Sequence, residues 1–325
     1  LVVIWNESSI TIPTGLDLIF QTDENIFINH EIVLEGNQKI TFNAGKSIYV
    51  NRKIDASTPS SQIAFEFGQN SKSTDSASGF YRIAAPVDIS EGLNFFTQKG
   101  WDGNITTYQV ITALGARLSN TGTDLQGMKG KPTGNYALGK DIDANNTHGW
   151  DLDTNNKGFR PVSNFSGRFE GLGHVISNLY SESDTGSRGL FHPAVNAHIA
   201  NTGLENINMK GRDNVGGFIG YNNGSIIVNC FVTGSVQGRN NVAGIIASNS
   251  NGQGKVLFSY SHTNATGTHG VGSLVGRTDA NKIEIQNSFS TGKIIGGNWS
   301  GALMGGDSHG TVINSFWDVN SSSFN

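Results

Sequence analysis

The sequence has few of the residues on which several common protein classes depend. Its 325 residues include one cysteine, Cys230, and 6 prolines, and only 15% of them are charged. A single cysteine excludes an internal disulfide and a cysteine-based metal cluster. The formal net charge of −4, with no basic run, argues against nucleic acid as a partner. No apolar run approaches the roughly 20 residues of a transmembrane helix, so we expect no membrane-spanning segment.

Glycine, in contrast, is abundant, with 43 residues, and Asn, Ser and Thr are dense around it. Ile, Val, Leu and Phe recur at regular intervals between them. This mixture favours many short strands joined by tight turns over long helices, and it is not typical of disorder. The chain begins at Leu1 without a basic leader. We therefore expect a segment of a longer protein, with any targeting signal outside it.

Apolar residues repeat at an offset of 22 in the first part of the chain. The matching pairs are Leu18 and Ile40, Phe20 and Phe42, Ile26 and Ile48, Ile28 and Val50, Ile32 and Ile54, with Asn29 matching Asn51. A third copy, at Ile63, Phe65 and Phe67, lies one residue later. Within each copy apolar residues alternate, which is the period of a strand. A unit of this length is enough for one coil of a parallel β-helix, rising by about 4.8 Å per coil.

A second repeat, of about 28 residues, occupies the later part of the chain. Each copy opens with a block of small and apolar residues: Gly216–Gly220, Ala243–Ala247, Gly272–Gly276 and Gly301–Gly305. Gly189-Leu190-Phe191, with Arg188 in the first place, fits one copy earlier. The copies close on Asn229-Cys230-Phe231, Phe258-Ser259-Tyr260, Asn287-Ser288-Phe289 and Asn314-Ser315-Phe316. We predict core rows, stacked aromatic rings and an asparagine ladder that is interrupted at Phe258.

Units this short cannot bury a core alone and must stack on their neighbours. The sequence therefore predicts an all-β fold, a right-handed parallel β-helix (solenoid) with loop excursions. We expect coils of about 22 residues in 1–100, irregular coils with loop insertions in 101–185 and coils of about 28 residues in 186–325, forming one continuous solenoid. Specificity in such folds is carried on insertions that leave the regular stem.

Four segments resemble one known family: Gly134–Ala144, Gly158–Leu179, Gly216–Gly238 and Asn314–Asp318. Gly216–Gly238 is similar to the Gly-Leu-any-Gly repeat of filamentous-haemagglutinin-like exoproteins of two-partner secretion. Gly134–Ala144 and Gly158–Leu179 are similar to the segment that precedes such repeats, and Asn314–Asp318 to the final unit of the array. The resemblance implies a β-helical adhesin or virulence protein of Gram-negative bacteria, exported through an outer-membrane transporter partner. It would then be secreted or associated with the outer membrane at the cell surface. The implied partners are a host protein or glycan, including a haem carrier such as hemopexin, and no catalytic residue is implied.

Aromatic and acidic residues of the non-repeating stretch are the candidate partner-binding residues: Trp101, Tyr108, Trp150, Asp151 and Asp153. A loop aromatic can stack on a sugar or anchor an interface, and it can equally cap the core where the coil pattern lapses. Asp151 and Asp153 lie two apart in Asn145–Gly158, where solvation and a weak calcium site are the alternatives. We predict Asn145–Gly158 and a second loop, Lys72–Gly79, as contact surfaces.

Catalysis and cofactors find little support in the sequence. The eight histidines show no close metal spacing, and we expect no metal and no cofactor. Asp141 and Asp143 fit turn and corner roles. The nearest enzyme-like group is Arg168-Phe169-Glu170, which has no second carboxylate nearby in the sequence. We expect a non-enzymatic binding module, with a polysaccharide-active β-helix enzyme and a pure structural spacer as the alternatives.

Overall fold

A computed structural model describes residues 9–76, 79–250, 252–278, 283–306 and 310–320. These ranges consist of strands and turns, with two 3₁₀ turns, η1 (Gln126–Gly130) and η2 (Asn145–Gly149). They contain no helix with the length and apolarity to cross a bilayer. Contacts divide the chain into two compact units. Unit 1 has the described residues up to Thr112 with Asn135–Lys140 and Glu170–His174, and unit 2 has the remaining described residues.

Unit 1 is built from three ladders of short strands. The first contains β1 (Ser9–Ile12), β4 (Glu31–Leu34), β7 (Ile54–Ala56) and β10 (Val87–Ile89). The second contains β3 (Ile26–Ile28), β6 (Ile48–Val50) and β9 (Tyr81–Ile83). The third contains β2 (Leu18–Thr22), β5 (Lys39–Ala44), β8 (Gln62–Phe67), β11 (Gly92–Lys99), β12 (Thr106–Ile111) and β13 (Tyr136–Leu138). All these pairings are parallel except that of β11 with β12.

The register of unit 1 confirms the 22-residue repeat residue by residue. Leu18 pairs with Ile40, Ile26 with Ile48 and Ile32 with Ile54. Ile40 then pairs with Ile63, which is the predicted slip of one residue. Asn51 Nδ2 donates to Asn29 Oδ1 at 2.8 Å, so the matching asparagines are bonded from coil to coil.

Aromatic rings form a continuous row inside unit 1. Phe20 stacks on Phe42 with ring centroids 5.5 Å apart, and Phe65 contacts Phe95 at 5.4 Å. Tyr108 extends the row, with its centroid 5.0 Å from that of Phe95. Aromatic pairs at this separation add about 1 kcal/mol each to the benefit of burying their area. The row explains why each coil has a large apolar residue at the same strand position.

Unit 2 has four ladders. Its first contains β17 (Arg168–Glu170), β21 (His198–Ala200), β25 (Ile226–Val228), β29 (Lys255–Leu257), β33 (Glu284–Gln286) and β36 (Thr311–Ile313). Its second contains β20 (Ala194–Val195), β24 (Ile219–Asn223), β28 (Ile246–Asn249) and β32 (Val275–Thr278). Its third contains β23 (Asp213–Gly216), β27 (Asn240–Ala243) and β31 (His269–Gly272).

The fourth ladder of unit 2 includes the non-repeating stretch. Its strands are β14 (Ile142–Asp143), β15 (Asp151–Asp153), β16 (Asn156–Gly158), β18 (Val175–Ser177), β19 (Tyr180–Ser183), β22 (Gly203–Lys210), β26 (Phe231–Gln237), β30 (Tyr260–Thr266), β34 (Phe289–Ser290), β35 (Ile294–Ile295) and β37 (Phe316–Trp317). Strand β16 pairs antiparallel with both β15 and β19. Parallel pairing joins β14 with β18, β18 and β19 with β22, β22 with β26, β26 with β30, β30 with β34 and β35, and β34 with β37.

The 28-residue repeat of unit 2 is confirmed in the same way. Ile219 pairs with Ile246, and Ile246 pairs with Val275. The closing-block aromatics stack nearly parallel: Phe231 on Tyr260 at 5.1 Å, Tyr260 on Phe289 at 4.9 Å and Phe289 on Phe316 at 5.5 Å. These parallel ladders are those of a β-helix or solenoid, so the predicted all-β fold class is confirmed.

The asparagines of the closing blocks occupy backbone corners with positive φ. Asn229 has φ 52° and Asn287 has φ 51°. Asn229 Nδ2 donates to Asn201 Oδ1 of the preceding coil at 2.8 Å. Asparagine is favoured here because it tolerates the left-handed region and supplies the amide for the ladder. Phe258 stands at this corner with φ 51° and 58% of its surface exposed, so it adopts the strained backbone without an amide.

We predict that Phe258→Asn raises the free energy of unfolding by about 1 kcal/mol, because asparagine relieves the left-handed strain and can bond its neighbours in the ladder. Urea unfolding followed by circular dichroism measures the change. Phe258→Ala is the matched control, since it removes the exposed ring and keeps a Cβ in the strained backbone. An equal gain from Phe258→Ala would assign the effect to the ring and contradict the explanation.

Candidate functional site

A polar pocket of about 240 Å³ lies within unit 2, where the repeat is least regular. It is lined by Leu118, Asp153, Asn156, Arg160, Pro161, Ser163, Ser187, Arg188 and His192. The lining comes from three segments: the loop between β12 and η1, which contains Leu118, the β15–β16 hairpin with the chain that follows it, and the chain leading into β20. Its charged groups are two arginines and one carboxylate.

Hydrogen bonds to the backbone hold the segment of Arg160 in place at the pocket. Gln126, fully buried in η1, accepts the N–H of Arg160 at 2.9 Å and donates to its carbonyl oxygen at 3.0 Å. Two residues on, Val162 donates its N–H to Leu190 O at 2.9 Å, and His192 N–H donates to Val162 O at 3.0 Å. These bonds join the segment of Arg160 to the segment of Arg188 and His192.

Arg188 is the most buried charge in the pocket, with 6% of its surface exposed. Its Nη2 donates to Asn156 Oδ1 at 2.5 Å and to Glu182 O at 2.8 Å, and its Nη1 donates to Ser187 O at 2.8 Å. Its Nε is buried without a hydrogen-bond partner. Guanidinium has five N–H donors, so this set leaves capacity for a further acceptor. Burial lowers the pKa of Arg188 to about 10, against an attraction from Asp153, so it stays charged at neutral pH.

His192 adds a neutral group next to that charge. Burial, and then the positive charge of Arg188, lower the pKa of His192 below its ordinary value of 6.5. Its Nδ1 is also buried without a partner. His192 therefore favours the uncharged imidazole at neutral pH.

Asp153 balances part of the positive charge. Its carboxylate accepts the N–H of Asn155 at 2.8 Å, and both its oxygens accept from Asn156 Nδ2 at 2.8 Å. The backbone N–H of Asn155 and then the Asn156 amide hold the pKa of Asp153 below its usual value. Asn156 thus connects this carboxylate to the guanidinium of Arg188.

The acidic residues predicted from the loop lie on an ordered hairpin. Asp153 lines the pocket, whereas Asp151 is exposed and uses its carbonyl oxygen to accept from Arg117 Nη1. Trp150 is half-buried and directly follows η2, and it donates its N–H to Thr147 O at 3.1 Å. Asn145–Gly158 is therefore η2 followed by a β-hairpin, and of its three candidates the structure brings only Asp153 to the pocket.

The other two candidates belong to unit 1. Trp101 is 59% exposed, as a contact residue requires. Tyr108 is 2% exposed, and its hydroxyl lies 3.3 Å from Thr97 Oγ1. The prediction that Tyr108 lies on an accessible loop is therefore wrong, because β12 places Tyr108 in the buried aromatic row. The alternative considered from the sequence, that this aromatic residue caps the core, fits the structure. In Lys72–Gly79, residues 77 and 78 lie outside the described residues, and Asp75 N–H donates to Lys72 O at 3.0 Å.

The carboxylates considered from the sequence for catalysis or metal binding accept hydrogen bonds within the fold. Glu170 is 2% exposed and accepts from Tyr81 Oη at 2.6 Å and from Leu172 N–H at 2.9 Å. Asp141 accepts the N–H of Val175 at 3.0 Å, and Asp143 accepts from Asn178 Nδ2 at 2.9 Å, which are the predicted corner roles. In the part of the chain that the structure describes, no three His, Cys, Asp or Glu side chains gather as metal ligands.

Sequence reasoning missed Arg160, Arg188 and His192 as members of one site. Arg160 is 28 residues from Arg188 in the sequence, and backbone pairing of their segments places both on one pocket. The structure corrects the alignment of Arg188 with Gly216 by one residue, since Arg188 pairs with Val215. A signal was still available at Arg188, because the later coils have Val242 and Val271 at this place.

Comparison with known proteins supports a repeat protein. Residues 211–237 match the GLUG motif. The chain is 30% identical to halomucin of Haloquadratum walsbyi over 211 residues, which cover 56% of this chain and 2% of halomucin. The aligned part is thus a small fraction of that relative's length. No solved structure matches.

Proposed function

We propose that this chain is a non-catalytic, ligand-binding segment of an extracellular or cell-surface repeat protein. The pocket lined by Arg160 and Arg188 carries the proposal. In the regular coils the repeated apolar, aromatic and asparagine side chains form core rows, ring stacks and ladders. Few of these side chains are therefore free to contact a ligand. Concave sites with a few convergent polar groups are the usual places of ligand binding. The GLUG motif and the similarity to halomucin support an extracellular repeat protein.

A binding role suits the pocket better than catalysis does. Asp153 is the single carboxylate in its lining, and glycosidases use a pair of carboxylates about 5 to 9 Å apart. Glu170, the other candidate from the sequence, is buried and accepts two hydrogen bonds. We therefore propose that the chain binds without turning its ligand over.

The resemblance to filamentous-haemagglutinin-like exoproteins supports two finer versions of this function. In one, the segment attaches a bacterial surface to a host glycan. In the other, it captures a haem carrier such as hemopexin. Both would follow export through an outer-membrane transporter, and neither requires this chain to hold a cofactor.

The test is a binding screen with the whole chain immobilised for biolayer interferometry. The analytes are neutral dextran, polygalacturonate, dextran sulfate and purified hemopexin. A reducing-end assay and an assay for unsaturated products run in parallel, and a heat-unfolded sample of the same chain is the control.

Saturable binding to the folded chain without product is the expected result. Product formation would replace the proposal with a polysaccharide-active enzyme. Absence of binding to the whole panel would favour a structural spacer and overturn the proposal.

A further inference from the structure

The opening block that contains the pocket differs from its later copies at two positions. Arg188 pairs in register with Val215, and the later copies have Val242 and Val271 at this place. His192 stands where they have Gly220, Ala247, Gly276 and Gly305. The three residues between them remain small or apolar. The solenoid thus places two large polar side chains in one coil at positions where the later coils have valine or the smallest residues.

These two residues also have the unsatisfied atoms of the pocket. Arg188 Nε and His192 Nδ1 are buried without partners. An unsatisfied buried polar atom costs about 1 to 3 kcal/mol, more for a charged group, so two such atoms in neighbouring side chains distinguish this coil from the regular ones. The next coil leaves room for the His192 imidazole, since a Cβ at Gly220 would lie 2.7 Å from His192 Nδ1. The pocket is therefore built into the coil stack.

The charges indicate the sign of the ligand. Arg160 and Arg188 are positive, Asp153 is negative and His192 favours its neutral form, so the lining has an excess of one positive charge. This excess suits a group with a single negative charge better than a phosphate dianion. The chain as a whole has a formal net charge of −4, so the positive excess is local.

The remaining lining indicates the kind of molecule that has this group. Ser163, Ser187 and Asn156 offer hydroxyl and amide groups that bond sugar hydroxyls, and the Asp153 carboxylate accepts from them. Leu118 and Pro161 supply an apolar wall for the C–H face of a ring. The volume of about 240 Å³ is below the range of about 300 to 1,000 Å³ of drug-sized ligands, which suits one ring with its substituents.

We propose that this pocket binds one acidic unit of a polysaccharide, with the carboxylate or sulfate of the sugar facing the guanidinium groups of Arg160 and Arg188. The inference rests on the proposed binding function and names its ligand class. Arginine is the residue best suited to such oxyanions, because its donors are fixed in a plane and stay charged.

The test is calorimetric titration of the whole chain with polygalacturonate, which is carboxylated, with dextran sulfate, which is sulfated, and with neutral dextran. We expect saturable binding to one or both acidic polymers, and their comparison identifies the oxyanion. Arg188→Gly, which removes the guanidinium group, is expected to weaken binding about 10- to 100-fold, as loss of a charge-assisted hydrogen bond does. Arg52→Gln removes an equal charge from an exposed site of unit 1 and should change affinity less than about twofold.

Arg160→Gln, at an exposed position of the same pocket, keeps the proposal testable if Arg188→Gly fails to fold. It too is expected to weaken binding. Equal affinity for neutral dextran, or acidic-polymer binding that neither variant weakens, would overturn this ligand assignment. If the chain instead binds hemopexin or a neutral glycan independently of both arginines, the result supports the general binding function and contradicts the assignment of the pocket to an acidic sugar.

Discussion

Phe191→Ala is expected to lower the free energy of unfolding by about 4 kcal/mol. Phe191 is fully buried, stacks on Phe165 with centroids 4.3 Å apart and contacts Phe169 edge-on at 5.6 Å. Truncation removes the buried ring and leaves a cavity, and such changes typically cost about 3 to 5 kcal/mol. Urea unfolding, followed by circular dichroism and tryptophan fluorescence, measures the loss.

Phe258→Ala is the matched control, because it removes an aromatic ring that is 58% exposed and should change stability by less than about 0.5 kcal/mol. If Phe191→Ala does not fold, Phe191→Leu should fold with a smaller loss. Equal stabilities for the alanine variants at 191 and 258 would contradict a core at Phe191. Phe191→Ala tests core packing, whereas Arg188→Gly, three residues away in the sequence, tests ligand binding.

Acidification is expected to destabilise the protein by roughly 3 kcal/mol between about pH 6.5 and pH 4 through His198 alone. Burial, and then the positive charge of Arg168, lower the pKa of His198 from 6.5 to about 4. The unfolded chain binds this proton near pH 6.5, whereas the folded chain resists it until about pH 4. The free energy of unfolding therefore falls as the pH is lowered through this window, by about 1.36 kcal/mol per pH unit.

The pH dependence of urea unfolding checks this expectation. His198→Gln should flatten the profile between pH 6.5 and 4, whereas His262→Gln, at an exposed histidine, should leave it unchanged. His192, whose pKa is also lowered, contributes in the same direction and should account for part of the remaining slope. A profile that keeps its full slope in His198→Gln would show that other groups control the acid response.

Much of the fold could be predicted because each coil places the same residue types at the same strand position. The pairing of Leu18 with Ile40 and the stacking of Phe231 on Tyr260 both follow from residue offsets. Phe258 was recognised as a gap because its neighbours in the repeat are asparagines. The backbone gives the reason, since all of these corners have positive φ.

The antiparallel elements and the pocket could not be predicted in this way. Strands β11 and β12 form a hairpin, which leaves no offset by which Tyr108 could be matched to Phe95. The pocket depends on Gln126 fixing the backbone of Arg160 and on the pairing of Val162 with Phe191. These contacts join residues about 30 apart without any shared residue type. Only Arg188 and His192, as exceptions within the repeat, could be noticed in the sequence.

The coil-to-coil register of unit 2 also determines how this segment responds to mechanical force. Each coil of about 28 residues advances the stack by about 4.8 Å, the spacing between strands. Peeling one coil from the ladder releases about 90 to 100 Å of extended chain. Ladder bonds, and stacks such as that of Tyr260 on Phe289, break coil by coil under such a load. Under such a load we expect each released coil to lengthen about twentyfold before any covalent bond is stretched.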